Sequence, residues 1–194
     1  MSVQVGQPAP DFTAKAVVDG RFEEVRLSSY QGKNVVLFFW PLDFTFVCPT
    51  EIAAFSDAAA KFAERNTTLL GVSVDSEFVH LAWQQRPRNQ GGLGKVEFAM
   101  VADLTKEISR NYGVLNPGGV ALRGLFLIDR KGVIRHMLVN DLPLGRSVDE
   151  ALRMVDALTH FEQHGEVCPA NWKPGEEAMK PTADGVAKYL SKHG

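Results

Sequence analysis

The stretch VVLFFWPLDFTFVCPTEI, residues 35–52, indicates how this chain folds. Its first six residues are a continuous apolar run rich in β-branched and aromatic side chains, which is typical of a strand covered on both faces. The run ends at Pro41, and from Thr50 onward apolar residues recur at intervals of three and four, so that one helical face is apolar. These residues are Ile52, Phe55, Ala59 and Phe62. A buried strand followed by an amphipathic helix is therefore expected, with Cys48 at the turn between them.

Strand and helix patterns alternate along most of the remaining chain. TTLLGVSVD (residues 67–75) and VEFAMVAD (residues 96–103) are predicted strands, and between them Ser76 can cap a helix that must stop near Pro87. GLFLIDRKGVIRHMLV (residues 124–139) is predicted to form a hairpin. This alternation favours an α/β fold built on a central sheet.

Helices are also expected in the second half of the chain. Asp103 is predicted to begin a short helix that ends at Gly113. Ser147 and Glu150 have capping-box spacing before a long helix that ends at Gly165. Beyond it, prolines and glycines interrupt the chain before a short helical candidate at residues 183–190. We expect one domain over residues 1–165 and a loosely docked C-terminal tail over residues 166–194.

Composition excludes several function classes. The 194 residues include 45% hydrophobic and 23% charged residues, which are ordinary globular values. A net charge of −2 gives no electrostatic attraction to nucleic acid or to an anionic membrane. The N-terminus lacks a basic segment followed by an apolar core, and the sequence contains no apolar run of about 18 residues. The expected location is the cytoplasm.

The chain has two cysteines, Cys48 and Cys168. In a reducing compartment disulfides are unusual, and those that form tend to be transient and catalytic. The cysteines are therefore either two inert buried thiols or a redox pair. Because free cysteine is among the most buried residue types, composition alone favours the inert alternative.

The position of Cys48 favours a reactive thiol. Pro49 suits the start of a helix because its missing N–H would have no partner there, so Cys48 should lie at a helix N-terminus. Free backbone N–H groups and the helix dipole favour the thiolate, which is the nucleophilic form. Ionisation alone gains a factor of only about 30 at pH 7, so other groups must stabilise charge in the transition state. The Thr45 hydroxyl and an arginine from elsewhere are suitable.

Pro41, Thr45 and Cys48 form a P-x-x-x-T-x-x-C motif, which resembles the signature of the peroxiredoxins. The surrounding segment PLDFTFVCPTEI is similar to that of the typical two-cysteine, alkyl hydroperoxide reductase C-type branch. Four further segments resemble family blocks, so the similarity covers nearly the whole chain. They are NQGGLGKVEFAMVAD, LRGLFLID with Arg123, NDLPLGRSVDE with Arg146, and GEVCPANWKPGE with Cys168.

The resemblance implies a thioredoxin-like fold, with a central mixed β-sheet flanked by helices and a C-terminal extension. It also implies that Cys48 is the peroxidatic cysteine and Cys168 the resolving cysteine. Thr45 would hydrogen-bond the bound peroxide, Arg123 would hold the thiolate and the peroxide oxygens, and Pro41 would shield the site from water.

Two charged residues have supporting roles under the same resemblance. Glu51 would orient the arginine network, while Arg146 either supports that network through the dimer or only decorates a helix start. The implied activity is reduction of hydrogen peroxide and organic hydroperoxides through a sulfenic acid, without metal, haem or flavin. Electrons would come from thioredoxin or from a dedicated flavoprotein disulfide reductase. Family members form homodimers with disulfides between subunits and assemble further into decamers.

Sensitivity to overoxidation is left open by the sequence. The GGLG segment (residues 91–94) is similar to one that accompanies a Tyr-Phe pair in easily inactivated family members. This chain instead has Tyr189 followed by Leu190. The alternative is that the segment is only a flexible turn.

The remaining candidates give weaker signals. His160 and His164 have i, i+4 spacing, which could place two metal ligands on one helical face. Their position at a helix C-terminus, where cationic side chains are favoured, and the lack of a third ligand argue against a metal site. Trp83 resembles a family tryptophan near the active site, but its helical spacing is typical of a core residue.

Two rival functions remain for comparison. An oligomeric chaperone or peroxide sensor would react with one equivalent of peroxide and then stop, whereas an enzyme would turn over with a thiol reductant. A metal-binding module that uses both cysteines and a histidine would contain tightly bound zinc.

Overall fold

The computed structural model describes residues 3–193. These residues contain seven strands in one mixed sheet, ordered β2-β1-β5-β4-β3-β6-β7. The strands are β1 Thr13–Val18, β2 Arg21–Arg26, β3 Asn34–Phe39, β4 Thr67–Ser73, β5 Ala99–Ala102, β6 Arg123–Ile128 and β7 Ile134–Asn140. The helices are α1 Cys48–Asp57, α2 Ala59–Ala63, α3 Glu77–Gln85, α4 Glu107–Asn111, α5 Val148–His164 and α6 Ala183–His193. Short 3-10 turns lie at Leu27–Tyr30 and Arg88–Gln90.

The central strand β3 confirms the prediction made from residues 35–40. All six of its residues are buried, and it pairs parallel with β4 and antiparallel with β6. An all-buried strand needs cover on both faces, which explains its continuous apolar sequence. The expected α/β class with a mixed sheet is thus confirmed.

The hairpin predicted for residues 124–139 is confirmed as β6 and β7. A second hairpin, formed by β1 and β2, was not anticipated. Its turn residues Asp19 and Gly20 both have positive φ, at 48° and 73°. An Asp-Gly pair between two strands is a strong signal for such a turn, so the sequence did contain the information.

Helix boundaries differ from the prediction in one instructive place. The short helix α4 begins at Glu107, four residues after Asp103. The Asp103 carboxylate accepts hydrogen bonds from the backbone N–H groups of Ile108 and Ser109. The aspartate therefore satisfies free donors of the first turn without joining the helix. By contrast, Ser76 caps α3 as predicted, because its hydroxyl accepts from the Val79 N–H.

Aromatic packing fixes α1 on the sheet. Phe55 of α1 stacks on Phe38 of β3 with ring centroids 4.4 Å apart, and Ile52 is fully buried. Phe38 also makes an edge contact with Phe98 at 5.2 Å. Since offset and edge contacts between aromatic rings stabilise specific orientations, these rings set where α1 starts relative to the end of β3.

The chain divides into two compact units, of which the first ends at Val148 and the second begins at Asp149. In the second unit, Val167 and Met179 form a β-bridge with two backbone hydrogen bonds. Between these two bridged residues, Trp172 is almost fully buried, and its carbonyl oxygen accepts a hydrogen bond from the Arg153 side chain of α5. None of the helices described here has the length and apolar character needed to cross a bilayer.

Substitution of Gly71 by alanine is expected to destabilise the first unit. A Cβ atom there would lie 2.7 Å from the Trp40 ring and 2.8 Å from the Phe98 ring, so the packed core must shift. Such overpacking costs about 1–3 kcal/mol in the free energy of unfolding, measurable by urea titration. Gly145→Ala is the matched control, because its Cβ would have only ordinary contacts, the nearest at 3.6 Å. Equal stabilities for the two variants would contradict this account.

Candidate active site

The turn between β3 and α1 places Cys48 at a helix N-terminus, as the sequence predicted. Cys48 is the first residue of α1, with Val47 as the N-cap and Pro49 in the first turn. The N–H groups of Thr50 and Glu51 bond back to the Val47 carbonyl. Cys48 has no solvent-exposed surface. A thiol here lies near the positive end of the helix dipole while shielded from water.

Two side chains converge on the Cys48 sulfur. The Thr45 hydroxyl lies 2.9 Å from Cys48 Sγ, and Arg123 Nη1 lies 3.5 Å from the same atom. Thr45 comes from the loop before α1, whereas Arg123 is the first residue of β6. The tertiary fold thus brings together a hydroxyl and a cation that are far apart in the sequence.

The Thr45 hydroxyl has two neighbours and one proton. Besides the sulfur, its Oγ1 lies 2.9 Å from the backbone carbonyl of Leu42. A Cys48 thiol can donate a hydrogen bond to Thr45 while Thr45 donates to the Leu42 carbonyl. A thiolate can only accept, so the Thr45 hydroxyl must then donate its hydrogen bond to the sulfur. The hydroxyl can therefore follow the charge on the sulfur by rotation alone.

Glu51 connects two buried arginines. Its Oε2 accepts from Arg123 Nη1 at 2.6 Å, and its Oε1 accepts from Arg146 Nε at 2.7 Å and from the Arg146 backbone N–H at 2.8 Å. The three side chains are at most 4% exposed. Arg146 is thus in direct contact with Glu51, an arrangement that a supporting role would require.

Backbone carbonyl oxygens complete the arginine network. Arg123 Nε donates to Leu142 O at 2.7 Å, and Arg146 Nη1 donates to Gly124 O at 2.5 Å. Arg146 also lies over the Phe38 ring, 5.3 Å from its centroid. These carbonyl partners could not be predicted from the sequence, because every residue has a backbone carbonyl and no side-chain pattern reveals which one will accept. Fixed in this way, the two guanidinium groups have little freedom to move away from Cys48.

The charges in this cluster are unequal. Two guanidinium groups face one carboxylate, which leaves one positive charge that a Cys48 thiolate would balance. Burial lowers the pKa of Arg146, although the hydrogen bond and charge of Glu51 raise it in the opposite direction. A buried positive charge is costly unless it is paired, so the cluster favours an anion at the sulfur position.

The other predicted site residues lie in different places. Pro41 is buried and lies two residues after the end of β3. Cys168 belongs to the second unit, where it is half-buried with its sulfur 3.6 Å from the Ala157 carbonyl oxygen. Burial raises the pKa of the Cys168 thiol, Arg153 lowers it and Glu166 raises it, with a net upward shift.

The weaker candidates have structural partners. Trp83 is fully buried and donates its indole N–H to the Gly91 carbonyl oxygen at 2.9 Å, which ties the GGLG segment to α3. His160 stacks near His164, and its Nε2 lies 3.1 Å from Glu166 Oε2. Among residues 3–193, no cluster of three or more His, Cys, Asp or Glu side chains could hold a metal ion.

A buried cysteine at the first turn of a helix, with a hydroxyl and a guanidinium on its sulfur, defines a cysteine-dependent redox site on a mixed α/β sheet. Comparison with known proteins agrees with this class. A model of the AhpC/TSA family matches residues 5–137, and a model of the C-terminal domain of 1-Cys peroxiredoxin matches residues 157–192.

Individual relatives are similar over nearly the full length. Peroxiredoxin-2 of Mus musculus is 61% identical over 193 residues, which is 99% of this chain and 98% of the mouse protein. The reduced 2-Cys peroxiredoxin of Plasmodium vivax superposes with a TM-score of 0.95 at 52% identity, covering 96% of this chain and 98% of that one. Plasmodium yoelii Prx1a, modified at its N-terminus and described as an artifactual octamer, has a TM-score of 0.79 at 53% identity, covering 88% and 99%.

The chain belongs to the AhpC/TSA family of peroxiredoxins. It has the thioredoxin-like fold of that family and is a thiol-dependent peroxidase, an oxidoreductase that reduces peroxides. The family, fold and activity expected from the PLDFTFVCPTEI segment are therefore confirmed.

Proposed function

We propose that Cys48 is the residue that attacks the peroxide. The observation that carries this proposal is the convergence of Thr45 Oγ1 and Arg123 Nη1 on its sulfur, at 2.9 and 3.5 Å. A nucleophile needs its anionic form and donors for the charge that develops on the substrate. These two groups are placed to serve both needs.

The proposed reaction is a displacement at oxygen. The Cys48 thiolate attacks one oxygen of the hydroperoxide, an S–O bond forms and the O–O bond breaks. The departing oxygen takes a proton and leaves as water or alcohol, while the sulfur loses two electrons and becomes a sulfenic acid. Negative charge moves along the O–O axis during this step, so donors beside that axis stabilise the transition state more than the ground state.

The supporting residues have distinct roles in this proposal. Thr45 and Arg123 hydrogen-bond the peroxide oxygens, and buried Pro41 excludes water from the sulfur. Glu51 and Arg146 act on Arg123: the Glu51 carboxylate holds the Arg123 guanidinium at 2.6 Å and is itself held by Arg146. Arg123 thus approaches the substrate in a fixed orientation, which favours a rate increase through positioning.

Cys168 is the proposed resolving residue. Its thiol condenses with the Cys48 sulfenic acid of a partner subunit, so that a disulfide forms and water leaves. Because Cys48 is fully buried in the first turn of α1, we expect that turn to unwind before the sulfurs can meet. A thioredoxin or a flavoprotein disulfide reductase then supplies two electrons by thiol–disulfide exchange.

This mechanism requires at least a two-fold homodimer, and a decamer of five dimers is the assembly that we propose. The almost fully exposed Phe46, at 93%, and the half-exposed Phe44 offer apolar surface for a contact between subunits.

We place the enzyme in the cytoplasm. We also keep the functional division at residue 165, with the peroxide site before it and the resolving cysteine after it.

The test is intact mass under denaturing, non-reducing conditions before and after one equivalent of hydrogen peroxide. The expected result is a doubled mass. Cys168→Ser should remain monomeric yet still consume the first equivalent, because only the second step is lost. Cys48→Ser should neither consume the peroxide nor form the disulfide-linked dimer. A Cys168→Ser protein that fails to react with the first equivalent would overturn the proposed order, and turnover without a thiol reductant would overturn the thiol cycle.

A further inference from the structure

The Cys168 sulfur lies against the long helix α5. Its Sγ atom is 3.6 Å from the backbone carbonyl oxygen of Ala157, close enough for a weak hydrogen bond from a thiol. A thiolate has no proton to donate and would face the negative end of the carbonyl dipole. The Ala157 carbonyl therefore favours the neutral thiol, which is the unreactive form of cysteine.

Two anchors hold this cysteine in place. Val167 and Met179 form a β-bridge whose two backbone hydrogen bonds are 2.8 and 3.1 Å long, so residues 167–179 form a closed loop. Within the loop, the almost fully buried Trp172 has its ring 5.0 Å from the His160 ring of α5. Since the loop is fixed both at its ends and on the helix, the sulfur stays beside α5.

Arg153 lies one helical turn before Ala157 in α5. Its Nη1 donates to the Trp172 carbonyl oxygen at 3.3 Å, while its Nε and Nη2 donate to the two carboxylate oxygens of Glu150 at 2.6 and 2.7 Å. A guanidinium that is paired in this forked way has a fixed orientation. Arg153 thus holds a positive charge beside the loop that carries the cysteine.

Charges of both signs act on the Cys168 sulfur. Burial raises the pKa of the Cys168 thiol, the positive charge of Arg153 lowers it and the negative charge of Glu166 raises it, with a net upward shift. Glu166 in turn pairs with His160, whose Nε2 lies 3.1 Å from the Glu166 carboxylate. Arg153 therefore opposes both burial and Glu166, and it favours the thiolate.

The resolving step needs this thiolate. The Cys168 thiolate attacks the sulfur of the sulfenic acid, an S–S bond forms and the S–O bond breaks. The departing oxygen takes up a proton, equivalent to the one that the Cys168 thiol released, and leaves as water. The Cys168 sulfur is oxidised and the Cys48 sulfur is reduced. Because the Ala157 carbonyl favours the thiol, another group has to favour the thiolate.

We propose that Arg153 is a positioning residue for the resolving step: it stabilises the Cys168 thiolate and so sets how fast the disulfide forms after Cys48 has been oxidised. This inference rests on the proposed role of Cys168. It assigns one guanidinium to each step, since Arg123 acts on the first and Arg153 on the second. A faster second step also leaves less time for further peroxide to attack the sulfenic acid.

The first test measures the Cys168 thiol alone, in a Cys48→Ser background that has no other cysteine. The rate constant of alkylation by iodoacetamide is followed from about pH 6 to about pH 10. When the pKa of a thiol rises by one, its thiolate fraction near neutral pH falls about tenfold, while the thiolate becomes about threefold more nucleophilic. Arg153→Gln should therefore slow alkylation at neutral pH by about threefold or more, and it should match or exceed the background rate at the alkaline end.

The shape of the pH profile separates a charge effect from a structural one. Loss of the bond to the Trp172 carbonyl alone would change the rate by the same factor at every pH. Arg153→Lys keeps the charge and should recover most of the rate at neutral pH. The glutamine variant is expected to fold, because the Arg153 side chain is 26% exposed and glutamine is a good helix former. Equal rates at neutral pH, or a loss that is the same at every pH, would overturn the inference.

Two further variants serve as controls in the same background. Arg26→Gln makes the same change in net charge at another carboxylate pair, in β2, and should leave the profile unchanged. Glu150→Gln removes the carboxylate partner of Arg153 but keeps the guanidinium, so alkylation at neutral pH should be at least as fast as in the background. A slower Glu150→Gln protein would show that the fixed loop controls the sulfur rather than the charge. That result would overturn the inference even if Arg153→Gln did not fold.

The second test follows the peroxide reaction of the chain with both cysteines by rapid quench and non-reducing mass analysis. Arg153→Gln should be oxidised at Cys48 as fast as the unaltered protein, but it should form the disulfide about threefold or more slowly at neutral pH. In excess peroxide, a larger share should become sulfinic acid, with two added oxygen atoms. Disulfide formation at an unchanged rate would overturn the inference. If the unaltered protein forms no disulfide, then the proposed role of Cys168 fails instead, while alkylation still reports the effect of Arg153.

Discussion

Thr45→Val is expected to lower the rate constant for the reaction of Cys48 with hydrogen peroxide about 10²–10³-fold. This is the usual effect of removing one hydrogen-bond donor that stabilises the charge developing in a transition state. Valine has nearly the shape of threonine, so the change removes the hydroxyl 2.9 Å from Cys48 Sγ and little else. The loss should appear in the first, single-turnover reaction, measured by stopped flow, because Thr45 acts before any disulfide forms.

Two companion variants show whether that loss belongs to the hydroxyl at this position. Thr45→Ser keeps the hydroxyl and should recover most of the rate. Thr50→Val removes a different hydroxyl, an exposed one in α1 that donates to the Val47 carbonyl at 2.6 Å, and should leave the rate within about twofold. If Thr45→Val and Thr50→Val slow the reaction equally, then the effect comes from the stability of the helix turn.

Glu51→Gln is expected to reduce the free energy of unfolding by about 3–5 kcal/mol, the usual range when one partner of a buried ion pair is removed. Glutamine preserves the shape but deletes the only carboxylate that the structure shows between Arg123 and Arg146. It also brings an amide N–H toward groups that can only donate. Peroxidase activity should fall as well, because Arg123 loses the bond that holds it beside the sulfur. Urea unfolding measures the first effect and stopped flow the second.

Asp57→Asn is the matched control for this stability prediction. Asp57 pairs with Arg88 through two hydrogen bonds, at 2.8 and 3.0 Å, but the side chains are 64% and 45% exposed. A solvated pair contributes about 0–1 kcal/mol, so the control should unfold almost like the unaltered protein. Comparable losses in the two variants would show that burial does not determine the cost at Glu51.

Several features could be predicted because they depend on neighbouring residues. The buried strand β3, the cap at Ser76 and the hairpin of β6 and β7 all follow from local patterns. The hairpin of β1 and β2 could also have been predicted from a local pattern, since its Asp-Gly turn is visible in the sequence. The start of α4 was misplaced because a side-chain oxygen can cap a helix from several residues away, and the type of residue does not give that distance.

The residues of the candidate site also fall into two groups, those that are neighbours in the sequence and those that only the tertiary fold brings together. Cys48, Thr45 and Pro41 lie within one short motif, so their proximity follows from the chain itself. Resemblance singled out Arg123, Glu51 and Arg146, but their contacts depend on pairing between distant strands and loops. The roles of all these residues in catalysis remain predictions until the variants are measured.

The sequence by itself determined that a cysteine stands where a buried strand gives way to a helix, because hydrophobic periodicity and a proline after the cysteine specify that turn through short-range interactions. Only the tertiary structure decided which charges surround the sulfur. Sheet pairing carries Arg123 to a cysteine that precedes it by many residues, and burial then forces each guanidinium to find an acceptor. Electrostatic interactions act through space and strengthen where water is excluded, so they depend on the folded arrangement of the residues rather than on their order along the chain.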